Sequence, residues 1–79
     1  MKLFGATADY DRSESLRRAE KFRSRGRVKK AIREYEKVLA VDPQDVEVHT
    51  KVAPLYIRAR RKDQAKASLK RVIAWYDKQ

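Results

Sequence analysis

Apolar residues recur along the chain at helical spacing, in blocks separated by short polar breaks. Leu16, Ala19 and Phe22 form one stripe, and Ala31, Ile32, Tyr35, Val38 and Leu39 form the next. Both follow the 3.6-residue period that puts side chains on one helix face. Between them stands "RSRGRV". Gly26 can take the left-handed conformation that ends a helix. The pattern therefore predicts a helix over roughly Arg12 to Ser24 and a second over roughly Val28 to Val41.

At "VDPQDVEV" a third helix is expected to begin near Pro43. Asp42 would cap it, Pro43 would occupy the first turn, where its missing N–H is not needed, and Asp45 would set negative charge at the positive helix end. Val46, Val48, Val52, Ala53, Tyr56 and Ile57 carry it to about Ala59. After "RRKD", the residues Ala65, Leu69, Val72 and Ile73 mark a fourth helix. Pro54 lies inside the third, where it removes the bond to the Thr50 carbonyl at a cost of about 3 kcal/mol. The stripe continues past it and "APLYIRA" holds no turn residue, so a kink is expected and not an end. Residues 1–11 show no period and read as a loosely ordered lead-in.

The stripes repeat. Shifting the sequence by 34 residues sets Ala19 on Ala53, Phe22 on Tyr56, Ala31 on Ala65, Tyr35 on Leu69, Val38 on Val72, Leu39 on Ile73 and Ala40 on Ala74, while the polar positions scatter. Small residues recur where helices at 8 to 10 Å must cross, and large ones recur beside them to fill the gaps. This length and residue set resemble the tetratricopeptide repeat, a helix-turn-helix unit. The likeness divides the chain into units at 12–45 and 46–79. In the first, Ala19, Phe22, Gly26, Ala31, Tyr35, Val38 and Pro43 occupy signature places. In the second, Leu69 replaces the large aromatic, Arg60 stands at the turn glycine and Asp77 at the proline. An Arg held at positive φ costs about 1 kcal/mol relative to Gly.

The resemblance implies an all-α fold: two antiparallel helix-turn-helix hairpins stacked as a short right-handed superhelix of four helices. It also implies a concave groove lined by the first helix of each unit, which takes an extended peptide or a partner's helix. Helical geometry assigns that groove to Leu16, Glu20 and Arg23 in the first unit and Thr50 and Ile57, followed by Arg58, in the second. The Lys and Asn clamp by which some members hold the acidic end of heat-shock chaperones is absent, because Leu16 and Glu20 stand in its place.

Length and composition narrow the reading. Seventy-nine residues allow one small domain with a limited core and marginal stability. There is no Cys, so disulfides and thiolate metal sites are excluded. The single His49 cannot form a metal site by itself and reads as a surface or packing residue. No phosphate loop, nucleophile with base, or ligand cluster occurs, so the chain reads as non-enzymatic, without metal or cofactor. Each acid reads as part of a solvated face or as a helix cap. No apolar run is long enough for a membrane span and no secretory signal is evident, so a cytoplasmic protein is expected.

Charge adds a second theme. Lys and Arg number 21 against 11 acids, a formal net charge of +10. The cations gather at corresponding turns: Arg25, Arg27 and Lys29 at one, Arg60, Arg61 and Lys62 at the other. Stacked hairpins would align them into a positive edge suited to an acidic protein or another polyanion. Nucleic acid is the weaker partner, because the aromatic residues lie on buried stripes and not among the cations. The leading reading is a protein-binding scaffold working through the first-helix face, and the alternative is a basic adaptor for nucleic acid or another polyanion. Trp75 and Tyr76, at the end of the last helix, are candidates for packing, for self-association, or for contact with further repeats if the chain is a piece of a longer array.

Overall fold

The computed structural model describes residues 10–79; of the expected lead-in at 1–11, all but Tyr10 and Asp11 lie outside the described residues. Among the described residues four helices follow in order: α1 (Arg12–Ser24), α2 (Val28–Val41), α3 (Val46–Arg58) and α4 (Lys62–Asp77). Helix α1 packs on α2 and α3 on α4, and the two hairpins join along a seam between α2 and α3. Among the described residues there is no strand.

Local chemistry sets the helix ends. Asp11 is extended and accepts the Glu14 N–H at 3.1 Å, which starts α1. At the other end Gly26 has φ 75°, the Gly26 N–H reaches the Arg23 carbonyl, and the Arg27 N–H reaches back to the Phe22 carbonyl at 2.8 Å. This paired closure satisfies the last carbonyls of the helix. The second hairpin repeats it bond for bond: Arg60 N–H to the Ile57 carbonyl, Arg61 N–H to the Tyr56 carbonyl at 2.7 Å. There the left-handed residue is Arg60, at φ 63°, so the strain expected from the sequence is present. Helix α3 continues through Pro54, which is exposed.

The joint between hairpins corrects one expectation. Helix α3 starts at Val46 and not near Pro43, and its cap is Asp45, whose side chain accepts the Val48 N–H at 3.2 Å. Asp42 closes α2 instead and accepts the Gln44 N–H at 3.1 Å. The Asp45 N–H bonds the Asp42 carbonyl, which makes residues 42–45 a turn with Pro43 at its second place, where a fixed φ fits. Arg12 supplies the deciding contact, gripping the Asp45 carboxylate at 2.9 and 3.2 Å from the start of α1.

The core holds the predicted alanines: Ala19 and Ala31 are fully buried, Ala53 and Ala65 nearly so. Ile32, Tyr35, Val38, Val48, Val52 and Tyr56 fill the space between them. Leu55, outside the predicted stripe, is buried as well, while Ile57 is 56% exposed. Helix α3 touches both α2 and α4, so its buried arc is wider than one stripe and is turned toward Leu55. Leu69 and Ile73 also depart from expectation. They are exposed, because no helix among the described residues lies over that side of α4.

Among the described residues four polar ones are buried: Ser15, Glu34, His49 and Ser68. They form a repeat of their own, since the 34-residue shift sets Ser15 on His49 and Glu34 on Ser68. His49 is thus an internal residue. Its Nδ1 lies 2.9 Å from Ser68 Oγ and its Nε2 lies 2.8 Å from the Pro43 carbonyl. A carbonyl only accepts, so Nε2 donates to it, and the neutral ring then accepts the Ser68 hydroxyl at Nδ1. Glu34 is likewise neither solvated nor a cap. One carboxylate oxygen bonds Lys37 at 3.1 Å, and the other is buried without a partner.

Candidate functional site

Successive helices reverse direction, so α1 and α3 run the same way. They line one face of the bundle. Arg12 holds their starting ends together through Asp45 and, at 2.8 Å, through Glu47. Burial raises the pKa of the Asp45 carboxyl, but the Arg12 hydrogen bond and the Val48 N–H outweigh it, and the group sits below its ordinary value. Glu47 is also lowered, chiefly by the Arg12 hydrogen bond. Further along, the Glu20 carboxyl is lowered by its bond to Arg23, with the Lys51 charge of α3 adding to the effect. The buried Tyr35 phenol titrates above its usual range, first through desolvation and then through the field of Glu20.

The expected docking residues differ in what they have free. Leu16 is half-buried and packed against the core. Glu20 and Arg23 are exposed but paired with each other. Thr50 donates its hydroxyl to the Val46 carbonyl at 2.8 Å. Ile57 and Arg58 are both exposed, and Arg58 makes no ion pair among the described residues. Among these six residues the open apolar and cationic groups thus lie toward the end of α3.

The shared direction of α1 and α3 also brings the two hairpin turns to one end of the bundle. Arg25, Arg27 and Lys29 are exposed at the first, Arg60 and Lys62 at the second, with Arg61 half-buried. Every ion pair among the described residues lies between residues 12 and 51, and none involves these six cations. At the opposite end, the Trp75 and Tyr76 rings meet edge to face with centroids 5.0 Å apart. They border an open cleft of about 660 Å³ with Arg12, Glu47, Thr50 and Lys51.

One polar node escaped the sequence reading. The Tyr56 hydroxyl donates to Glu36 at 2.7 Å, and Gln64 donates to the same oxygen at 3.4 Å, so the start of α4, the end of α3 and the middle of α2 meet at one carboxylate. Burial and then the Glu36 contact push the Tyr56 phenol well above its usual range. A Tyr at 56 where the first unit has Phe22 is the signal that points to a polar partner. Among the described residues no group of three or more His, Cys, Asp or Glu could hold a metal ion. Nor is any helix among them long and apolar enough to cross a membrane.

The tetratricopeptide repeat family matches residues 22–79. With the paired hairpins this settles the class, and the chain belongs to the tetratricopeptide repeat family. The family's members are generally protein-protein interaction modules and typically non-catalytic. Comparison with curated proteins and with solved structures returned no match.

Proposed function

We propose that the chain is a non-catalytic scaffold module of the cytoplasm, with units at 12–45 and 46–79, that binds a peptide or partner helix on the α1–α3 face. The observation that carries this reading is the open end of α3. Ile57 offers an apolar anchor at 56% exposure beside the unpaired Arg58, while Glu20 and Arg23 on α1 are satisfied by each other. Burying one such side chain contributes about 1.5 kcal/mol or more to a complex. The test is selection of ligands from a displayed peptide library, followed by titration of the best ligand against variants. Ile57→Ala and Arg58→Ala are expected to weaken binding about tenfold each, with smaller losses at Arg23 and Thr50. Unchanged affinity in all four variants would overturn the assignment.

The unpaired cations of the two turns favour a second reading, an adaptor for nucleic acid or another polyanion. Titration against oligonucleotides over a salt series separates the two. Binding that falls steeply with salt supports the adaptor, and absence of binding near 50 mM salt removes it.

A further inference from the structure

Helices α2 and α4 hold corresponding places in the two hairpins, yet among the described residues only α2 is covered on its outer side. Helix α3 packs along α2 and leaves Tyr35 1% and Val38 0% exposed, whereas Leu69, the counterpart of Tyr35, is 42% exposed. Ile73 is 59% exposed and Tyr76 64%. Leu69, Ile73 and Tyr76 stand at i, i+4 and i+7, so they form one open apolar stripe along α4. The chain itself displays what such a stripe accepts. On α2 the occupant is a helix that brings Val48, Val52, Leu55 and Tyr56 to the seam, and whose acids Asp45 and Glu47 meet a cation of the preceding hairpin, Arg12.

Around the open stripe the charge is almost all of one sign. From Arg58 to Gln79 there are eight cations and only two acids, Asp63 and Asp77. Among the described residues none of these cations is in an ion pair. Lys62, Lys66 and Lys70 follow the stripe along the border turned away from the buried Ser68. A second copy paired through the same face would bring two lysine-bordered stripes together, and like charges across an interface repel. A polyanion without apolar groups would leave the stripe wet.

We propose that the open side of α4 docks an acidic amphipathic helix of a partner protein, which lays its apolar stripe on Leu69, Ile73 and Tyr76 and its carboxylates against Lys62, Lys66 and Lys70. This surface faces along the stack and meets the α1–α3 face only at Tyr76, which borders the cleft shared with Arg12, Glu47 and Thr50. Either can fail without the other.

The probe is a labelled synthetic helix that keeps the apolar spacing of α3 and carries Glu at its flanking positions, with a Lys-flanked twin as control. Fluorescence anisotropy with the full chain in about 100 mM salt, where contact charges are only partly screened, is expected to show the Glu-flanked helix binding at least about tenfold tighter than its twin. Ile73→Asp should weaken the Glu-flanked helix at least about tenfold. Lys66→Glu combined with Lys70→Glu should reverse the preference toward the Lys-flanked twin, and Arg17→Ala on α1 should change nothing. All substituted residues are exposed, and far-UV circular dichroism checks that the variants keep their helices. Equal binding of the two helices, or binding of neither, overturns the proposal. So does a wild-type dimer in sedimentation that Ile73→Asp dissolves, because the occupant is then a second copy.

Discussion

The two hairpins share a turn built from the same backbone bonds, alanines at the same crossings and a buried polar pair at the same positions, but they are sheltered differently. The second helix of the first hairpin lies under α3, and its Tyr35 is sealed. The second helix of the second hairpin has no described helix over its outer side, and its Leu69 is 42% exposed. Equivalent positions in a repeat therefore carry unequal energies, because burial depends on the neighbour and not on the residue. The turns differ as well: Gly26 takes its left-handed conformation freely, and Arg60 takes it under strain.

The largest test of this contrast compares Tyr35→Ala with Leu69→Ala. Loss of the buried ring should cost about 3 kcal/mol, and loss of the exposed Leu69 side chain less than about 1, as read from urea unfolding. For a chain of this size the first loss is enough to populate the unfolded state. Next is His49→Ala, which leaves the Pro43 carbonyl without its donor and Ser68 without its acceptor, and should cost about 2 kcal/mol. Ser15→Ala, at the matching place in the first hairpin, should cost less.

The turn residues should answer with opposite signs. Arg60→Gly is expected to raise stability by about 1 kcal/mol, and Gly26→Ala to lower it by a similar amount. A Cβ on Gly26 meets nothing within 4 Å, so that loss would be conformational alone. The smallest effect concerns pH. Asp45 and Glu47 both titrate below their ordinary values in the folded chain. Their contribution is thus present above the unfolded carboxylate range and is lost as the pH falls through the lowered values. Arg12→Ala should flatten that acid limb by no more than about 1 kcal/mol, since Arg12 and Glu47 are half-exposed. Thermal melts at pH 7 and at pH 3 make the comparison.

What the sequence made legible was local or periodic. The bounds of α1 and α2, the Gly26 turn and the alanine crossings all follow from residues close together in the chain or from the 34-residue shift. What it hid depended on distant partners. Asp42 and Asp45 are both chemically fit to cap α3, and Arg12, 33 residues before Asp45, is what holds the second in that role. Leu69 and Ile73 look like core in any helical reading, and only the absence of a covering helix exposes them. Taken alone, His49 reads equally as a surface or a packing residue, and Ser68 carries no signal of its own. Set against Ser15 and Glu34 by the same shift that revealed the alanines, they stand out as polar positions of the repeat.

The short link at 42–45 fixes more than a helix start. Pro43 freezes one backbone angle, its carbonyl is held by His49, Asp42 and Asp45 each tie down an N–H, and Arg12 locks the far carboxylate to the other hairpin. A segment restrained at so many points acts as a bracket and not as a hinge. A partner docking across both hairpins would meet them already held together by these bonds, which lowers the entropic cost of aligning them.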